Sequence, residues 1–114
     1  MRGNKAGHEP HDVFRAIADP TRRTILDLLL DQPRTVTGLS KRFDMTQPAL
    51  SQHLRILVHA GLVKKGRLGR ETFYRVNPRP FLEVHGWVER YVRVWRSRLA
   101  AARGRRPADT VAGR

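Results

Sequence analysis

The sequence predicts a mainly α-helical chain, five helices with one small two-stranded β-hairpin, on three observations. Apolar residues recur at helical spacing over most of the chain. Ser, Thr and Asp caps with Pro and Gly stops cut that pattern into separate helices. One stretch alone, residues 62–76, is rich in β-branched and aromatic residues around turn-forming glycines.

A length of 114 residues suits one domain. Residues 1–10 and 103–114 hold little that could be buried, so the expected organisation is a mobile N-terminus, a folded domain over 11–102 and a basic mobile tail.

Asp12 is expected to cap a short first helix with Val13, Phe14, Ile17 and Ala18 on one stripe. Asp19-Pro20 reads as N-cap and first residue of a second helix, which turns Ile25, Leu26, Leu29 and Leu30 inward and stops before Pro33. Thr35 caps a third helix over 36–43, with Val36, Leu39 and Phe43 at helical spacing. Gly38 weakens it by about 1 kcal/mol relative to Ala.

After a short turn at Asp44-Met45, Thr46 caps a fourth helix to about residue 60, and Gly61-Leu62 reads as its Schellman stop. Strand-favouring Val63, Thr72, Phe73, Tyr74 and Val76 flank a turn centred on Gly66, Arg67, Leu68 and Gly69. A last helix from about Arg79 carries Phe81, Val84, Val88, Tyr91, Val92, Trp95 and Leu99 on one stripe.

Composition narrows the function. Twenty-three Lys and Arg against 10 Asp and Glu give a formal charge of +13, which favours salt-sensitive association with phosphate. No apolar run approaches membrane-spanning length and no leader or lipidation motif is present, so a soluble cytoplasmic protein is expected. With 0 cysteines, disulfides, thiolate nucleophiles and Cys-ligated zinc are excluded. No clustered carboxylates for two metals, deaminase pattern or phosphate-binding Gly loop appears, which argues against an enzyme.

On the fourth helix Leu50, Leu54 and Leu57 share one side. Pro48, Ser51, Gln52 and Arg55 project from the other, with Gln47 at the N-terminal edge. Gln suits adenine, Arg suits guanine and Ser suits either, while the helix N-terminus and the Thr46 hydroxyl can take a phosphate. An ordinary surface helix shows the same pattern. The order, short helix, turn, capped helix and basic hairpin, is what makes it a reader of the major groove. In the hairpin Lys64, Lys65, Arg67 and Arg70 form a cation cluster suited to a phosphate backbone or a narrow minor groove.

Segments 18–23 (Ala-Asp-Pro-Thr-Arg-Arg), 51–57 (Ser-Gln-His-Leu-Arg-Ile-Leu), 60–63 (Ala-Gly-Leu-Val) and 69–74 (Gly-Arg-Glu-Thr-Phe-Tyr) closely resemble the ArsR-type winged helix-turn-helix repressors, over about residues 12–99. The resemblance implies a homodimer that binds double-stranded DNA at an imperfect palindrome, often in its own promoter. It places base and phosphate contacts on Thr46, Gln47, Pro48, Ser51 and Gln52, and the wing on 64–70. Arg55 is added from the helical-face argument. Cysteine-based sensing, common in that family, has no residues here.

His8 with His11, and His85 with Glu89, are partial ligand sets, so no metal or other cofactor is assigned, and any effector is unknown. A homodimer seam is expected along the last helix, at Phe81, Val84, Val88, Tyr91, Val92, Trp95 and Leu99, with Val13, Phe14 and Ile17 beside it. Two alternatives stay open: an architectural protein that coats DNA through charge alone, and a repressor that answers to a metal held by His and carboxylates.

Overall fold

A computed structural model describes residues 10–104. The elements run α1 (Pro10–Ile17), α2 (Pro20–Asp31), α3 (Val36–Ser40), α4 (Gln47–His59), β1 (Val63–Leu68), β2 (Glu71–Val76) and α5 (Phe81–Arg103). This is the expected winged helix-turn-helix: five helices and one antiparallel two-stranded sheet. Two compact units divide after Leu82, so the first holds everything up to the start of α5 and the second the remainder of that helix.

The core of the first unit is built from the helical stripes. Val13 and Ala16 of α1, Ile25, Leu26 and Leu29 of α2, Leu39 of α3 and Leu50, Leu54 and Leu57 of α4 are buried, and Leu62 and Val63 close it below the hairpin. Each buried Leu or Ile contributes roughly 1.5–3 kcal/mol over its exposed state. Two residues assigned to these stripes point elsewhere. Leu30 is 75% exposed, one position past the last inward residue of α2, and Ala18 is exposed where α1 has already ended at Ile17.

Capping explains most boundaries. The Asp19 carboxylate accepts from Arg22 N–H and Pro20 follows it, while Thr35 accepts from Gly38 N–H. A Cβ on Gly38 would stand 3.3 Å from the Thr35 hydroxyl, so the glycine that weakens α3 also admits its cap. At the end of α4, Gly61 takes φ 81°, Leu62 N–H donates to Leu57 O at 3.0 Å and Gly61 N–H to Val58 O at 3.0 Å, the paired bonds of a Schellman motif.

Four boundaries differ from expectation. α1 begins at Pro10, a residue pre-set for a first helical turn, so Asp12 lies inside that turn rather than capping it. α3 stops at Ser40 rather than residue 43, because Arg42 and Phe43 N–H groups bond three residues back, to Leu39 and Ser40, and tighten the chain into a turn. α5 starts at Phe81: Arg79 precedes Pro80, where helical geometry is disfavoured, and Phe81 and Leu82 N–H groups bond three residues back, to Pro78 and Arg79, in a turn. The hairpin turn is Gly69-Arg70, not 66–69. Leu68 pairs with Glu71 around Gly69 at φ 66°, and Gly66 lies within β1 opposite Phe73.

A single residue outside the hairpin extends the sheet. Arg34 and Tyr74 exchange two backbone bonds, N–H of Arg34 to Tyr74 O at 3.0 Å and N–H of Tyr74 to Arg34 O at 2.8 Å. The Arg34 side chain donates from Nε to Leu28 O at 3.0 Å and pairs with Asp31 at 3.1 Å. Across the hairpin base, Asn77 Nδ2 donates to Gly61 O at 2.8 Å. The wing is therefore fastened to α2 through Arg34 and to the end of α4 through Asn77.

In the second unit, the exposed apolar side chains of α5 include Trp87, Val88, Tyr91, Val94, Trp95 and Leu99. Trp87 and Tyr91 meet edge to face with centroids 5.1 Å apart. Among the described residues no helix is long and apolar enough to cross a membrane.

Candidate nucleic-acid interface

The candidate reading helix is α4, and its N-terminus is organised by Thr46. That residue is extended (φ −72°, ψ 156°), and its hydroxyl oxygen accepts from Ala49 N–H at 3.2 Å. The hydroxyl proton remains available to a phosphate oxygen, and Pro48 removes a donor that the first turn would leave unbonded anyway. Leu50, Leu54 and Leu57 are fully buried, which fixes the rotation of the helix about its own axis. Thr46, Gln47, Pro48, Gln52 and Arg55 are consequently exposed, and Ser51 is half-buried at the edge.

Two of the candidate base-reading groups are already joined. Arg55 Nη1 donates to Gln52 Oε1, one turn earlier on the same face. The bond leaves further guanidinium donors and the Gln52 amide nitrogen without a partner in this pairing.

The hairpin separates the wing cations. Side chains alternate across a strand, so Lys65 and Arg67 share the face of β1 on which Val63 is buried, Lys64 faces the opposite way, and Arg70 stands at the turn. All four are exposed. Ser51, Arg55 and Val58 of α4 and Lys65 and Tyr74 of the wing line one notch of about 150 Å³. Ser51, Arg55 and Lys65 therefore converge, whereas Lys64 does not join them. Tyr74 was not among the candidates, although its place at the foot of an aromatic strand was the available signal.

Arg22 was not among the candidates either. Its guanidinium donates from Nε to Ala16 O at 2.8 Å, from Nη2 to Arg15 O at 3.3 Å and from Nη1 to His53 Nδ1 at 3.2 Å. It thus caps the carbonyls at the end of α1 and holds α4 at the residue next to Gln52. The signal was that α1 ends without a glycine stop, leaving its last carbonyls in need of donors. Beside it, the backbone N–H of Arg22 holds the Asp19 carboxyl below its usual pKa of 3.8, against a smaller opposing effect of desolvation, and the Arg22 charge adds to the lowering.

Of the partial ligand sets, His85 and Glu89 stand on α5, and His8 lies outside the described residues. Among the described residues no three His, Asp or Glu side chains converge as metal ligands would. Of the expected seam, Val13 is fully buried within the first unit, and Phe14, Ile17, Phe81, Val84 and Val92 are half-buried. Val88, Tyr91, Trp95 and Leu99 are exposed, as are Trp87 and Val94, which the sequence reading did not assign.

Residues 19–65 match the model of the bacterial regulatory proteins of the arsR family, a span from the Asp19 cap to Lys65 of the wing. The chain is 34% identical over 82 residues to the transcriptional repressor SdpR of Bacillus subtilis, covering 72% of this chain and 91% of that protein. It is 42% identical over 65 residues to the transcriptional repressor SmtB of Mycobacterium tuberculosis, covering 57% of this chain and 48% of that longer protein. An ArsR-like transcriptional regulator from Rhodococcus sp. RHA1 superposes with a TM-score of 0.70 at 32% identity, over 82% of this chain and 86% of that one. A capped helix with an exposed polar face, a cationic hairpin fastened beside it and these likenesses agree: the chain belongs to the arsR family of bacterial regulatory proteins, and is a sequence-specific DNA-binding transcriptional regulator.

Proposed function

We propose that the protein is a cytoplasmic homodimeric repressor that binds an imperfect palindrome, with α4 in the major groove and the wing on the neighbouring backbone. The observation that carries this reading is the division of α4. Leu50, Leu54 and Leu57 are sealed in the core, and Thr46, Gln47, Pro48, Ser51, Gln52 and Arg55 occupy the opposite surface. Gln52, Ser51 and Arg55 meet base edges, while Thr46 and the cations at 64, 65, 67 and 70 meet phosphates. Repression is supported by the names of the SdpR and SmtB relatives.

A dimer is supported by two arguments. One helix reads too few bases, whereas two held about 34–36 Å apart grip successive major grooves on one face of the duplex. The exposed stripe of α5 supplies the seam, since Tyr91 and Trp95 are each 61% exposed and border a groove of about 490 Å³ lined also by Val94, Arg90 and Arg98. Residues 11–102 carry both DNA binding and dimerisation.

Selection of bound duplexes from random DNA, with Zn²⁺ and with chelator, tests the proposal. The expected product is one palindromic motif with half-sites a helical turn apart, the same under both conditions. Unenriched sequence would favour charge-only coating, and a motif recovered under one condition alone would favour a metal-responsive repressor.

A further inference from the structure

Behind the reading face, α1 and α4 enclose a second concavity, a cleft of about 440 Å³. That volume lies within the range of small-molecule sites. Its floor is apolar: Ala16 and Ala60 are buried and Ile56 is half-buried. Its walls include Arg15, Arg22 and Arg55 against one carboxylate residue, Asp12, whose Oδ2 lies 3.9 Å from His59 Nε2, also of the cleft. Among the described residues no carboxylate comes within ion-pair distance of the Arg55 guanidinium, and the Asp19 carboxyl feels the Arg22 charge only from beyond that distance.

The three hydrogen bonds of Arg22, to Ala16 O, Arg15 O and His53, set its orientation before any ligand arrives. One guanidinium held in place, with Arg15 and Arg55 beside it and a small apolar floor, suits an anion that also has an apolar body. A bare anion would leave the floor wet, and a neutral apolar molecule would leave the cations unanswered.

Arg55 belongs to this cleft, to the notch against the wing and, through Gln52, to the reading face. We propose that the α1–α4 cleft binds small carboxylates with a compact apolar body, and that the bound anion draws Arg55 away from Gln52 and weakens DNA binding. The second half rests on the DNA-contacting role proposed above for Arg55. The first half does not.

The test is a titration of the ¹⁵N-labelled full chain with hexanoate, with inorganic phosphate and hexanol as single-feature probes. Hexanoate is expected to give saturable shifts confined to the Ala16, Ile56 and Ala60 amides and the Arg22 and Arg55 Nε–H signals. Arg15→Glu alters an exposed side chain outside the proposed DNA contacts, and is expected to weaken hexanoate binding at least about fivefold while the spectrum stays folded. Scattered shifts, equal effects from hexanol, or unchanged binding by Arg15→Glu would overturn the site.

The coupling is read by anisotropy of a labelled duplex. Saturating hexanoate should lower affinity roughly fivefold for the native chain and leave Arg55→Ala insensitive. Localised shifts with unchanged duplex affinity would overturn the coupling. If no duplex is bound at all, the DNA reading of Arg55 fails while the titration still decides the site.

Discussion

Arg22 and His53, 31 residues apart, meet at 3.2 Å, with the guanidinium donating to Nδ1 of the imidazole. The same guanidinium closes the end of α1, so one side chain sets three helices relative to each other and fixes α4 next to Gln52.

Replacing Arg22 should therefore cost more than a surface arginine. Arg22→Ala is expected to lower unfolding free energy by about 1–3 kcal/mol, since the Ala16 and Arg15 carbonyls lose a charged donor. Arg22→Lys should recover only part, because one ammonium cannot span three acceptors. Urea denaturation measures both, and equal stability of Arg22→Ala and the native chain would contradict the bracing role.

The Asp19 cap predicts a pH dependence. Its folded-state pKa lies below the usual 3.8, so its charged contribution is complete above that value and fades as pH falls through the lower folded value. Asp19→Ala should cost about 1 kcal/mol at pH 7, while Asp19→Asn, which keeps the acceptor, should cost less. The difference between the native chain and Asp19→Asn should shrink as pH is lowered below about 4. Denaturation at pH 7 and pH 3 checks this.

The wing should supply affinity rather than choice. Lys64→Ala and Arg67→Ala are expected to weaken operator and random duplex alike, and each should lower the slope of log affinity against log salt by about 1. Lys65→Ala lies in the notch with Ser51 and Arg55, and should additionally disturb the α4 contacts. Salt titrations on both duplexes separate the two behaviours.

The α5 stripe predicts assembly. Trp95→Ala with Tyr91→Ala removes the two most exposed aromatic rings of that helix and should shift sedimentation from dimer to monomer. Helix content should be retained, because neither ring belongs to the buried core. A dimer undiminished in the double variant would place the seam elsewhere.

Element order and most caps were legible in the sequence because they rest on local chemistry. Asp19, Thr35 and Thr46 accept from the third backbone N–H beyond them, and Gly61 adopts the positive φ its position requires. Errors arose where two local signals competed. Gly66 and Gly69 could both make a turn, and the strand register selected Gly69. Pro78 and Pro80 could both precede a helix, and the second disfavoured helical geometry at Arg79.

What stayed hidden was long-range. The Arg22–His53 bond, the Arg34–Tyr74 bridge and the Asn77–Gly61 bond each join residues far apart in sequence, and no periodicity announces them. The reading face was legible because the three leucines opposite it are spaced by 3 and 4 residues. The cleft behind it was not, because Arg15 and Arg22 approach Arg55 only after α1 has packed on α4.

Base reading by the Gln52 side of α4 shows itself as discrimination between duplexes. The ratio of affinities for the selected palindrome and a scrambled duplex should be determined for the native chain and for Gln52→Ala at one salt concentration. Gln52→Ala is expected to lower this ratio by about 1–3 kcal/mol, roughly 5- to 150-fold, while affinity for the scrambled duplex is nearly unchanged. An equal loss on both duplexes, leaving the ratio intact, would contradict it.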